Sequence, residues 1–147
     1  MDEEEYKTVS NQTVPVACVF EKSILAIKCS CVYSKKKNIA ERQVVMCTAV
    51  DRQQRCNSWL QLLRKKSQFS LRIPDVDELA TPLPHAKEMK VQVGGIYGLA
   101  THYGITSKDE GLLDVSELLE KCVVEEGGFA ELPFDEIVKE ITHFRLR

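Results

Sequence analysis

Six cysteines occur in the chain, and five of them, Cys18, Cys29, Cys31, Cys47 and Cys56, fall within 39 positions while Cys122 stands apart. Thiolates are soft, charged ligands, so such a group points first to zinc or an iron–sulfur cluster. The sequence contains no C-x-x-C knuckle, the usual way for one loop to offer two sulfurs. It offers Cys29-x-Cys31 instead, which on a strand would put both thiols on one face. Cys47 would lie across a hairpin from them, and Cys56 one turn into the helix that follows. Cys31, Cys47 and Cys56 are therefore the leading candidate ligands, with Cys29 behind them.

Two other uses of these thiols compete. Cysteine is a small hydrophobe and is among the most often buried residue types. Cys18, Cys31, Cys56 and Cys122 all occupy apolar positions of their expected elements, so packing alone would account for them. A reactive thiol needs a neighbour that lowers its pKa, and Lys28, Arg55 or the helix start at Asp51 could serve. A thiol enzyme would pair Cys47 with His85 or His102, two residues far from it in sequence. More ordinary roles exist for both: His85 follows Pro84 at an expected helix start and fits a cap, and His102 fits a cation near a helix end. His143 is expected on the surface.

The elements that must position these groups follow from periodicity. Thr13–Phe20 reads as a short apolar strand, with Pro15 suited to an edge. Ile27, Cys29, Cys31 and Tyr33 alternate with Lys28, Ser30 and Val32, the pattern of a half-buried strand. Ser34–Asn38, SKKKN, reads as a polar turn, and Arg42–Val50 as the partner strand of a hairpin. Asp51 is expected to cap a helix in which Cys56, Trp59, Leu60 and Leu63 fall at i, i+3, i+4 and i+7. Trp59 then belongs to the core. Phe69–Ile73 returns as a short strand, and Pro74, Pro82 and Pro84 mark a connector around an acidic stretch.

Beyond it, Ala86, Met89, Val93, Ile96, Tyr97 and Ala100 recur at threes and fours, a helical spacing interrupted by Gly94, Gly95 and Gly98. Each glycine costs a helix about 1 kcal/mol relative to alanine. Either another backbone packs closely there or the helix breaks near the double glycine. The G-G-x-x-G pattern lacks the Lys-Ser or Lys-Thr of a P-loop, so close packing is the expectation over phosphate binding. Asp114, with Glu117 three residues on, opens a helix that Gly127 and Gly128 stop. Pro133 and Asp135 open the last, striped by Ile137, Val138, Ile141 and Phe144.

Charge is unevenly placed although the chain carries only −2 overall. Between Lys28 and Arg72, eleven Lys and Arg stand against Glu41 and Asp51, whereas from Ser107 to Glu140 three Lys stand against eleven Asp and Glu. The halves could neutralise each other within the fold. Alternatively, Lys35, Lys36, Lys37, Arg52, Arg55 and Lys65 form a basic face for an acidic protein, RNA or a nucleotide, with Tyr33 available to stack on a base. A pI near 6.0 and 7% aromatic residues weaken the nucleic-acid case.

Ala40-Glu41-Arg42 followed by Cys47 and Cys56, then Pro84-His85-Ala86-Lys87 and Val91-Gln92-Val93-Gly94-Gly95, resembles a group of short, functionally uncharacterised bacterial proteins. These share an A-E-R…C…C and P-H-A-K…V-Q-x-G-G pattern, and the resemblance runs from about Cys31 onward. In that group a cysteine also stands just before I-A-E-R and just before the double glycine; here those places are Asn38 and Val93. If the group holds a metal, this member lacks two of its ligands.

At 147 residues, with 44% apolar and 29% charged residues, the chain has the size and balance of one globular domain. A loose acidic arm is expected over residues 1–12 and a single α+β domain over 13–147, with a small sheet in the first half packed against about four helices. The acidic start does not resemble a secretory signal, and no apolar run reaches the roughly 20 residues of a membrane helix. The expectation is a cytoplasmic protein with free thiols. No nucleophile–base–orienter set can be assembled from the sequence, so binding or redox support is expected ahead of turnover.

Overall fold

A computed structural model describes residues 16–73, 82–105 and 111–145. The expected acidic arm and the connector carrying Pro74 lie outside them. Three short strands form an antiparallel sheet in the order β1-β3-β2: β1 is Val16–Ala17, β2 Ser34–Ile39 and β3 Arg42–Cys47. The helices are α1 (Glu21–Leu25), α2 (Val50–Lys66), α3 (Gln68–Leu71), α4 (His85–Met89), α5 (Gly95–His102), α6 (Val115–Glu126) and α7 (Phe134–His143). A π-helical turn, Lys90–Gly94, joins α4 to α5. The fold is α+β, as expected.

Two sequence expectations about the hairpin are overturned. SKKKN is strand β2 and not a turn: Lys35 to Ile39 pair in register with Met46 to Arg42. The reversal falls on Ala40 and Glu41, with Ala40 at φ 55°. Alternation misled because β2 lies at the sheet edge, where exposed lysines are compatible with a strand and discourage pairing with other chains. The segment 27–33 is irregular. Ile27 has φ 58°, and only Ser30 makes a ladder contact, an isolated parallel bridge to Asp114.

In the first half α2 obeys its expected period, but its cap is Ala49, with Asp51 in the first turn. Trp59, Leu60 and Leu63 are buried. Trp59 lies against Phe129 and Phe134 with ring centroids 5.0 and 6.1 Å away. Arg64, expected on the polar face, is instead buried and bonded to Glu88 at 2.7 Å. Phe69–Ile73 is no strand: α3 occupies most of it, and Phe69 is 97% exposed. A β-favouring composition cannot hold a strand where no partner edge is available.

Of the two expectations set for the glycines, close packing is the one seen, and the helix runs on unbroken through Gly94 and Gly95. The helix takes π geometry up to Gly94, and Gly94 and Gly98 sit where α7 crosses. A Cβ on Gly94 would lie 2.5 Å from Ile141 Cα, and one on Gly98 2.9 Å from Ile137 Cα. They serve packing, not a phosphate. Asp114 accepts from the Glu117 N–H at 3.0 Å and Gly127, at φ 73°, ends α6, both as the sequence indicates. No helix among the described residues is long and apolar enough to cross a membrane.

Candidate metal centre

Four cysteines line one small cavity: Cys18, Cys31, Cys47 and Cys56, with Phe20, Ile24 and Val115 among its apolar walls. Each arrives from a different place in the fold. Cys18 follows β1 directly, and its N–H donates to Val45 O at 3.1 Å, extending the β1–β3 pairing. Cys47 ends β3 opposite both Val16 and Ser34. Its thiol donates to Ala49 O at 3.2 Å. Cys56 faces inward from α2, which Gln53 ties to β1 through Ala17 O at 3.3 Å.

Cys31 is held without a strand. The Asp114 carboxylate that caps α6 also accepts from Val32 N–H at 2.8 Å. Ser30 donates its N–H to Leu113 O at 2.8 Å and accepts from Val115 N–H at 2.9 Å. On the other side, the Ser34 N–H and hydroxyl both donate to Cys31 O, at 3.0 and 2.7 Å. One aspartate thus fixes a helix start and the loop bearing a candidate ligand.

Burial is the first cause of every resolved thiol shift. It pushes Cys18, Cys29 and Cys56 up to about 12 and raises Cys31 as well. Further upward contributions come from the sulfurs themselves, since Cys31 and Cys47 act on both Cys18 and Cys56. The thiols are close enough to oppose one another's ionisation. A cation among them would reverse that balance, because its charge favours thiolate over thiol.

The cavity is about 10 Å³, room for one water-sized sphere. No group of three or more His, Cys, Asp or Glu side chains among the described residues stands at the spacing one metal ion requires. The segments bearing Cys18 and Cys31 are turns or loops, whereas Cys47 and Cys56 belong to β3 and α2.

Comparison with protein-family models, curated proteins and solved structures yields no match.

Of the sequence candidates, Cys31, Cys47 and Cys56 line the same cavity. Cys29 is buried beside them, electrostatically coupled to Cys18, Cys31 and Cys56, but does not line the cavity. The expectation that it shares a strand face with Cys31 is corrected by the irregular backbone there. Cys18, which the sequence assigns to packing and does not place among the candidate ligands, lines the same cavity. Its signal was its place on the strand preceding the hairpin, where sheet pairing could carry it to Cys47.

The basic candidates disperse. Arg52 and Arg55 both bond Glu120 on α6, and Arg55 also donates to Ser116 O at 3.2 Å. Those bonds, Arg55 foremost, hold the Glu120 carboxyl below its ordinary range. Lys35 and Lys36 are exposed on β2, Lys37 is half-buried there, and Lys65 is exposed at the far end of α2. The acidic half thus meets part of the basic half inside the fold.

No described histidine lines the cysteine cavity. His85 is exposed at the start of α4, where it makes no side-chain cap. His102 lies 3.1 Å from Glu126, which also accepts from the Tyr103 hydroxyl at 2.5 Å. Asn38 and Val93 are also outside the cavity lining.

Proposed function

We propose that this protein holds a metal centre, in the first place an iron–sulfur cluster, through Cys18, Cys31, Cys47 and Cys56. The observation that carries the proposal is the convergence of four thiols from four parts of the fold on one apolar cavity. Packing alone requires burial of each thiol; it does not require them to share a cavity.

Four thiolates are the ligand set of iron–sulfur clusters and of tetrahedral zinc alike. Tetrahedral zinc, with Zn–S near 2.3 Å, draws its sulfurs to within about 4 Å of each other. As the chain stands, no three of these side chains among the described residues are placed to hold one metal ion. A cluster carries its thiolates on its outer irons and accepts a wider set. Seating it requires the walls to separate, and the irregular segments bearing Cys18 and Cys31 can yield without breaking a helix or strand. Its role would be electron transfer or redox support, because the cavity wall contains no acid–base pair for turnover.

Reconstitution with iron and sulfide under anaerobic conditions tests this. The expected product is a brown protein with broad thiolate-to-iron absorption, lost in Cys47→Ala/Cys56→Ala. Stoichiometric zinc bound without sulfide would replace the cluster by a mononuclear site, and neither metal bound would end the proposal.

A further inference from the structure

Val91-Gln92-Val93-Gly94-Gly95 is a sequence feature that the cysteine centre leaves unused, and the structure connects them. Gln92 is buried in the π-helical turn at 2% exposure. Its Nε2 donates to Glu88 Oε1 at 2.7 Å and to Val19 O at 3.2 Å. Its Oε1 accepts from the Ser23 hydroxyl at 2.5 Å. Glu88 in turn accepts from Arg64 at 2.7 Å, so a buried polar chain runs from α2 through α4 to the turn between β1 and α1.

Val19 is the residue after Cys18. The same turn is held on its sheet side, where Cys18 N–H donates to Val45 O and the Glu21 carboxylate accepts from Val45 N–H at 3.2 Å. On its interior side, the Gln92 amide donates to the Val19 carbonyl. Cys18 also lines a second, open cleft of about 300 Å³, whose walls include Arg64, Glu88 and Gln92. It therefore stands between the cysteine cavity and a route from solvent. Without its interior hold, this turn could swing the thiol toward the cleft.

We infer that Gln92 is a positioning residue for Cys18: its amide, oriented by Ser23 and Glu88, holds the Val19 carbonyl so that the neighbouring thiol faces the cavity. The inference rests on the proposed metal centre for its purpose, but the strut can be tested separately. A π turn commonly marks a functional site in a helix, and here it presents a residue four positions beyond Glu88 to two partners at once.

The test is site-resolved alkylation by iodoacetamide, read by mass spectrometry, on the full chain with and without reconstitution by iron and sulfide. Gln92→Met keeps the side chain's length and removes its donors. Gln92→Glu replaces the amide by an isosteric acid whose single proton can be shared with Glu88, leaving none for Val19 O. Ser23→Ala removes one of the two bonds that orient the amide while leaving its donors in place.

In metal-free protein, Gln92→Met or Gln92→Glu is expected to speed Cys18 alkylation roughly tenfold, the order expected from losing one buried hydrogen bond. Cys56 and Cys122 should keep their wild-type rates, and Ser23→Ala should fall between wild type and the Gln92 variants at Cys18. In reconstituted protein, Cys18 alone should lose protection in either Gln92 variant. An unchanged Cys18 rate in a folded Gln92 variant, or an equal rise at Cys18, Cys56 and Cys122, would overturn the inference. If reconstitution protects no cysteine even in the wild type, the metal centre is refuted, while the metal-free rates still decide whether Gln92 holds Cys18.

Discussion

Cys18 shows how a residue can be visible in sequence as a core thiol while its place beside other thiols is not. Its apolar neighbours predict burial, and it is half-buried, but burial does not distinguish a packed thiol from a cavity-facing one. What decides is the sheet: pairing of Val16 with Cys47 and of Ala17 with Met46 brings the residue after β1 to the cavity. The candidates Cys47 and Cys56 were legible because one ends a strong strand and the other lies on the stripe of a long helix. Cys29 and Cys31 were only half legible. Their alternation suggests a strand, but the left-handed backbone at Ile27 and the grip of Asp114 build a loop that turns Cys31 alone to the cavity.

The buried thiols also set a pH limit on stability. Unfolded, they ionise near 9, whereas Cys18, Cys29 and Cys56 retain their protons to about 12 in the folded metal-free chain. Between those values the unfolded chain releases protons that the folded chain keeps, so rising pH favours unfolding. Below pH 9 this contribution is complete. Thermal midpoints of metal-free protein should fall from about pH 9 upward, and less steeply in Cys29→Ala; parallel curves would contradict the assignment.

At the scale of elements, the sequence predicts correctly where side-chain period is enforced by a core. In α2, Trp59, Leu60 and Leu63 bury one face, and α7 buries Ile137 and Ile141. It fails where tertiary position decides, as for the edge lysines that form β2 and for Phe69 on the exposed turn α3. The glycines express a tertiary demand that the sequence signals only as an anomaly. Gly94 and Gly98 meet the α7 backbone, whereas a Cβ on Gly95 meets the end of the Leu63 side chain. A side chain can rotate and a helix backbone cannot yield cheaply. Urea unfolding should therefore show Gly94→Ala as the costliest of the three, by about 3 kcal/mol or more, and Gly95→Ala as the mildest at about 1 kcal/mol. The reverse order would mean that α7 is free to move away.

At the scale of the molecule, the opposite charge of the two halves is partly spent inside the fold, where Glu120 draws Arg52 and Arg55 to α6. That helix also supplies Asp114, Val115 and Ser116 around the loop of Cys31 and the cavity. The cysteine centre is consequently a junction of the sheet, α2 and α6, and filling it should stabilise the whole chain. A centre present at a hundredfold over its dissociation constant adds about 2.7 kcal/mol. The unfolding midpoint of reconstituted protein should rise accordingly and return to the metal-free value with a chelator. No rise on stoichiometric binding would place the metal away from this junction.

The most direct measurement is iron, sulfide and zinc per chain in protein purified without oxygen, repeated for six variants in which each cysteine in turn is replaced by serine. The metal centre described above predicts iron and sulfide in the wild type, sharply reduced in Cys18→Ser, Cys31→Ser, Cys47→Ser and Cys56→Ser, and retained in Cys29→Ser and Cys122→Ser. A wild type without metal, or a loss that does not separate these four cysteines from the other two, would contradict it.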